Sequence, residues 1–342
     1  MIGHYKMSLT GTSHLAHHKK CQDACNVLTL KNGWVAAAIA DGIGSAPKSD
    51  KGASSAVETV LRFIEENHPE KWHEKSLQAL LMVAYHKAMT TISRLAQKNG
   101  DELSDYDTTL TVLLYNGTDA VYGHAGDGGI MALSPYGEFS VLTTAQKGEA
   151  FNETFPLRAG PDHWEFGRTS EDVCALLMMT DGVFDIAKPW PLAQTEQPVY
   201  VRYVRPFMDR NLLPVSGEAD FERAQAEIRA FLCGEESQMI TDDKTVVGII
   251  NTDVMPEIRP EAYYREPDWE AMKKEHDERL YHGEDVQPKP ESEAEQPEEI
   301  PERGEEKPFF HDIADASPVE QSTLLGKTKE FFHRFLKGQN RM

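Results

Sequence analysis

The chain has 342 residues, 40% hydrophobic and 27% charged, and its 56 acidic against 35 basic side chains give a formal net charge of −21. That length allows one large or two ordinary domains with real cores, while the negative charge argues against nucleic-acid binding, which lysine and arginine drive by displacing counterions. No apolar run reaches the roughly 18 residues of a membrane span, and the first residues lack the apolar stretch of a secretion signal, so the expectation is a cytoplasmic protein.

In chain order, Tyr5 to Thr10, Ala24 to Leu30 and Trp34 to Ala40 read as strands, the last so continuously apolar that both its faces must be buried. Two helical stretches follow, about Lys51 to Glu66 and Lys75 to Lys98. In the second, Leu77, Leu80, Leu81, Ala84, Ala88 and Ile92 keep a spacing of three to four. Then come strands at Thr109 to Tyr115, Ala120 to Ala125, Gly129 to Leu133 and Phe139 to Thr143. Asn116-Gly117 between the first two is a hairpin signal, because such a turn asks both central residues for positive φ. Val173 to Thr180 and Lys244 to Asn251 complete the strands. Strands at both ends around a helix pair, with hairpins prominent, predict an α+β protein: antiparallel sheets packed face to face with helices outside.

Composition changes near residue 252. Residues 253 to 310 hold 19 acidic against 8 basic side chains and 8 of the 19 prolines, too little apolar surface to offset the entropy of ordering. The expected organisation is therefore a globular domain over 1–252, a mostly disordered acidic linker over 253–318 and a short basic amphipathic tail helix over 319–342. Within the linker, Asp268 to Tyr281 has the composition of a helix. The tail, with Leu325, Lys329, Phe332 and Leu336 on helical spacing, is either a frayed end or a segment that docks a protein partner.

The chemistry lies in where the aspartates fall. Asp41 and Asp181 each end an apolar strand and precede a glycine; Asp127 follows a third strand; Asp242-Asp243 and Asp23 each stand just before a strand. Asp-Gly is a common turn dipeptide, so any one of these reads equally as punctuation. Gathered together, these six would repel one another unless a cation neutralised them, and carboxylates beside glycines are how a fold collects charge around hard divalent ions. The four cysteines, Cys21, Cys25, Cys174 and Cys233, are too few and scattered for a disulfide framework and read as reduced thiols. Ser13 and Ser45 read as turn residues, since no base and acid pair with them in the sequence.

These segments resemble the metal-dependent Ser/Thr protein phosphatases of the PP2C type, in particular their compact bacterial branch. The matching runs, in the family's order, are Gly11-Thr12-Ser13-His14 with Cys21-Gln22-Asp23-Ala24, Ala40-Asp41-Gly42-Ile43-Gly44-Ser45, Asp107-Thr108-Thr109, Gly126-Asp127-Gly128, Thr180-Asp181-Gly182-Val183-Phe184-Asp185 and Asp242-Asp243-Lys244-Thr245. The resemblance implies two antiparallel sheets flanked by helices, with two Mg²⁺ or Mn²⁺ ions at one edge. It also implies hydrolysis of phosphoserine and phosphothreonine in proteins, opposing a Ser/Thr kinase, by a water that the ion pair activates. Residue by residue, Asp41 looks like the carboxylate bridging the two ions, with the Gly42 carbonyl as a neighbouring ligand. Asp181 and Asp242 resemble ligands of one ion, Asp23 acts on the site directly or through water, and Asp127 resembles the ligand of a third, weaker ion.

The sequence also departs from the family. An arginine that often clamps the substrate phosphate is replaced by His18, leaving His14, Lys19 and Lys20 as candidate substitutes, although none copies a guanidinium's two-pronged grip. Ile43 stands where some members carry a proton-donating histidine, Gln22 replaces an acidic residue, and Asp243 stands where many have asparagine, either adding charge to the site or facing solvent. The missing arginine leaves open a second reading, a phosphatase-like module that binds phosphorylated partners with little or no turnover.

Overall fold

The computed structural model describes residues 1–146, 154–193, 195–234, 237 and 240–274. It divides into a unit spanning Met1–Glu266 and a second beginning at Pro267. In the first, the elements are β1 (Ile2–Leu9), α1 (Thr12–Ala16), β2 (Ala24–Thr29), β3 (Val35–Ala40), α2 (Ser49–Asn67), α3 (Glu74–Asn99), β4 (Leu110–Tyr115), β5 (Ala120–Ala125), β6 (Gly129–Leu133), β7 (Phe139–Val141), β8 (Glu165–Arg168), β9 (Ala175–Met179), α4 (Asp181–Ala187), α5 (Val201–Met208), α6 (Glu218–Cys233) and β10 (Lys244–Asn251).

Two five-stranded sheets form, in the orders β1-β10-β9-β6-β7 and β2-β3-β4-β5-β8, and every pairing among the described residues is antiparallel. β3 shows why the chain folds this way. Its side chains alternate, Val35, Ala37 and Ile39 joining a core with Ile130, Met178 and Val247 of the other sheet, while Ala36, Ala38 and Ala40 pack with Val57, Leu81 and Tyr85 of α2 and α3. Both faces are buried, as the unbroken apolar run requires. The small alanines let the helices approach closely. α4, α5 and α6 cover the outer face of the other sheet, where Tyr5 on β1 reaches across to donate to the Phe207 carbonyl at 2.7 Å. The α+β sandwich read from the sequence is the fold observed.

Three local differences have physical causes. The β4–β5 connection is not a two-residue turn: residues 116–119 loop out, only Gly117 has positive φ (106°), and Asn116 Oδ1 accepts the amides of Thr118 and Asp119 at 2.9 and 2.7 Å. β8 was not apparent because Glu165-Phe166-Gly167-Arg168 is too short and mixed to show a period. The chain from 253 to 266, acidic and proline-containing, nevertheless packs on the unit. Glu257 N donates to Pro135 O at 2.8 Å, Phe139 N to Tyr263 Oη at 2.8 Å, and Tyr200 Oη to Glu266 at 2.6 Å. Three hydrogen-bonded anchors in a short segment hold it there.

In the second unit, residues 269–274 are helical, with Asp268 Oδ1 capping the Ala271 amide at 3.1 Å. The remainder of the expected helix to Tyr281 and the tail over 319–342 lie outside the described residues. No helix among the described residues is long and apolar enough to cross a membrane.

Candidate metal centre

Strand register gathers the aspartates. Ala24 pairs with Ala40, so Asp23, one residue before β2, stands beside Asp41, one residue after β3. Met179 pairs with Gly129 on one side and Val246 on the other, which sets Asp181 between the β5–β6 loop bearing Asp127 and the segment bearing Asp242 and Asp243. All six converge at one edge of the sandwich. Carboxylate oxygens of Asp41, Asp127 and Asp181 lie within 4.8 Å of one another, as do donor atoms of His14, Asp242 and Asp243.

The backbone is built to hold them. Thr109 Oγ1 accepts the Asp41 amide at 2.8 Å, while Thr109 N and Thr108 Oγ1 both donate to the Asp41 carbonyl at 2.8 Å. Thr154 Oγ1 donates to Asp127, and Thr180 Oγ1 donates to Asp23 Oδ2 at 2.9 Å. Gly126 takes φ of 131°, closed to most side chains, to swing Asp127 inward. At Gly182 any methyl group would overlap the Asp243 carbonyl oxygen, so glycine is needed for the two acidic segments to meet.

The resulting cleft, about 300 Å³, is lined by His14, Gln22, Asp41, Gly42, Ile43, Asp127, Thr154, Asp181 and Asp242 among others. Burial, and then repulsion from Asp23 and Asp181, pushes the Asp41 carboxyl well above its ordinary range. Burial with repulsion from Asp127 and Asp242 does the same to Asp181. Asp23 is pushed up to about 7, chiefly by burial, against the lowering effect of its hydroxyl partners. Asp242, the most exposed of the set, is raised by desolvation and by the Asp243 charge.

Among the described residues no lysine or arginine pairs with any of these six aspartates, and Asp23 Oδ1 and Gln22 Oε1 are buried with no hydrogen-bond partner. A cluster of oxygen donors with unspent lone pairs and no cationic side chain fits a hard divalent cation.

The sequence-derived candidates separate here. Asp41, Gly42, Asp127, Asp181, Asp242 and His14 line the cleft, and Asp23 stands behind Asp41. Asp127 sits with Asp41 and Asp181 rather than apart from them, while Asp242 groups with His14 and Asp243. His18, Lys19 and Lys20 are exposed and absent from the lining. α1 ends at Ala16, and His18 takes a left-handed φ of 56° that carries the chain round the outside. Asp243 does not face solvent: it is 2% exposed, accepting the Gly11 amide at 2.7 Å and the Gln22 amide at 2.6 Å. Thr154 and Thr180, which orient carboxylates, carry no sequence signal beyond their neighbourhood.

A family model described as protein phosphatase 2C matches residues 10–233. Solved structures share the fold at low identity. Serine/threonine phosphatase Stp1 from Staphylococcus aureus is 13% identical, with 73% of this chain and 95% of that one covered at a TM-score of 0.52. A bacterial serine phosphatase is 12% identical over 76% and 100%, also at 0.52, and the S. agalactiae serine/threonine phosphatase is 15% identical over 73% and 99% at 0.50. No curated protein matches the sequence. With the family model spanning more than half of the chain, the protein belongs to the protein phosphatase 2C family.

Proposed function

We propose that the chain hydrolyses phosphoserine and phosphothreonine in proteins in a metal-dependent reaction, in the cytoplasm and opposite a Ser/Thr kinase. The observation that carries this is the convergence of Asp41, Asp127 and Asp181 within 4.8 Å beside the partnerless Asp23 oxygen. Asp41, with the Gly42 carbonyl, Asp181 and Asp242 would hold two Mg²⁺ or Mn²⁺ ions, with Asp23 completing that set and Asp127 serving a third. Bound there, the ions supply an activated water and neutralise charge on the phosphoryl oxygens.

The chain's own residues position and exclude. Thr108 and Thr109 fix the Asp41 main chain from both sides; Thr180 and Thr154 each occupy one oxygen of their aspartate and so set its orientation. With no arginine or lysine lining the cleft among the described residues, a phosphate dianion meets a lining whose charge is that of its carboxylates until cations are present, which makes binding itself metal-dependent. Ile43 presents no proton donor.

Phosphate release from a phosphothreonine peptide with Mn²⁺ tests the reading. Turnover is expected to vanish in EDTA and to fall on the order of a hundredfold or more in Asp41→Asn; activity that survives either treatment refutes it. The lack of a guanidinium among the described lining residues favours one rival, a module that holds phosphorylated partners without turnover. Calorimetry with phosphopeptide separates the two, since the rival binds without metal-stimulated release of phosphate.

A further inference from the structure

Among the described residues, His14 is the one imidazole in a cleft whose other metal-binding groups are oxygens. Its side chain is 13% exposed, and its Nδ1 is a buried atom with no hydrogen-bond partner. That nitrogen lies 3.0 Å from Asp243 Oδ1 without the alignment of a hydrogen bond. Octahedral ligands at about 2.1 Å from a shared cation stand about 3 Å apart, so the spacing fits two adjacent ligands of one ion. Asp242 lies close enough to complete a three-donor face.

Asp243 is held for such a role. Both of its oxygens accept backbone amides, Oδ1 from Gly11 and Oδ2 from Gln22, and each oxygen keeps a second lone pair. Its charge is buried at 2% exposure, and His14 is the only basic side chain that pairs with it among the described residues, an arrangement that a bound cation would stabilise.

We infer that His14, with Asp242 and Asp243, forms a mixed nitrogen and oxygen cation subsite, one that selects a transition metal such as Mn²⁺ over Mg²⁺. The inference rests on the metal-dependent reading above and adds a ligand to it. An imidazole nitrogen discriminates where carboxylates do not, because Mg²⁺ holds hard oxygen donors and water in preference to nitrogen.

The test is pulsed electron paramagnetic resonance on the full chain titrated with Mn²⁺ alone. Nitrogen-14 coupling to bound Mn²⁺ is expected in the natural sequence, retained in His18→Ala and lost in His14→Ala. By calorimetry, His14→Ala is expected to weaken Mn²⁺ binding about tenfold and Mg²⁺ binding less than about threefold. Bound Mn²⁺ without nitrogen coupling, or coupling that persists in His14→Ala, overturns the inference and leaves the metal-dependent reading standing. Should His14→Ala fail to fold, the spectrum of the natural sequence decides alone. If no Mn²⁺ binds at all, both readings fail together.

Discussion

Thr180 Oγ1 donates to Asp23 Oδ2 at 2.9 Å and accepts the Thr245 amide at 3.2 Å, linking the end of β9 to the start of β2 across the two sheets. One hydroxyl thereby orients a carboxylate whose other oxygen is buried and unpaired. Thr180→Val removes the donor and strands the Thr245 amide. The expected cost is about 1–3 kcal/mol, read as a lower urea midpoint at unchanged slope, together with weaker Mn²⁺ binding by calorimetry.

Stability of the metal-free protein should fall as pH rises. Asp23, Asp41 and Asp181 all hold protons more tightly folded than unfolded, so between the ordinary carboxylate value of 3.8 and the Asp23 value of about 7 the folded state binds more protons. Their contribution is then complete below the unfolded value and lost as pH climbs through the folded one. Thermal melts in EDTA should show a Tm lower near pH 8 than near about pH 5.5, and the rise in Tm on adding Mn²⁺ should be larger at the higher pH. A metal-free Tm that increases over this interval would contradict the clustering of ionisable carboxylates described here.

Lys244 lies buried next to Asp243, and its Nζ donates to the Leu232 carbonyl at 3.0 Å and the Ser237 carbonyl at 2.8 Å. Replacing the cation by Lys244→Met keeps the stem but leaves two carbonyls, one in the last turn of α6 and one just beyond it, without their donor. We expect a loss of about 1–3 kcal/mol in urea unfolding, with Mn²⁺ affinity reduced because the same residue begins β10 directly behind the acidic pair.

Truncation distinguishes two boundaries. A chain ending at Glu266 keeps Tyr263, Glu266 and the Val254 and Pro256 carbonyls that receive Arg210 and Asn211, and should melt like the full chain. A chain ending at Thr252 loses all of these and should melt lower by on the order of 5–10 °C. Equal melting of the two would mean that the segment from 253 to 266 contributes nothing to the fold.

The sandwich was readable because its strands are either doubly buried and apolar, as in Val35–Ala40 and Ala175–Met179, or mark their ends with Asp-Gly. The clustering of the aspartates was readable for the same reason: strand ends are where a sheet delivers side chains to a common edge. Proximity was harder. Nothing in the spacing of His14 and Asp243 announces a 3.0 Å approach, since it depends on two backbone amides over 200 residues away in sequence closing on one carboxylate. His18, Lys19 and Lys20 looked suitable by charge and neighbourhood, but a left-handed residue after a five-residue helix turns them away from the cleft. Sequence reports which groups are available, and backbone direction decides which arrive.

β1 pairs with β10 along its whole length, Ile2 opposite Asn251 and Leu9 opposite Lys244. During synthesis the ribosome therefore releases almost the entire unit before that pairing can form. Asp242 and Asp243 emerge among the last of the gathered acids, immediately ahead of the strand that closes the sheet. The acidic edge is therefore completed only once β10 has emerged and docked against β1, the two strands that close the sheet lying at opposite ends of the unit's sequence.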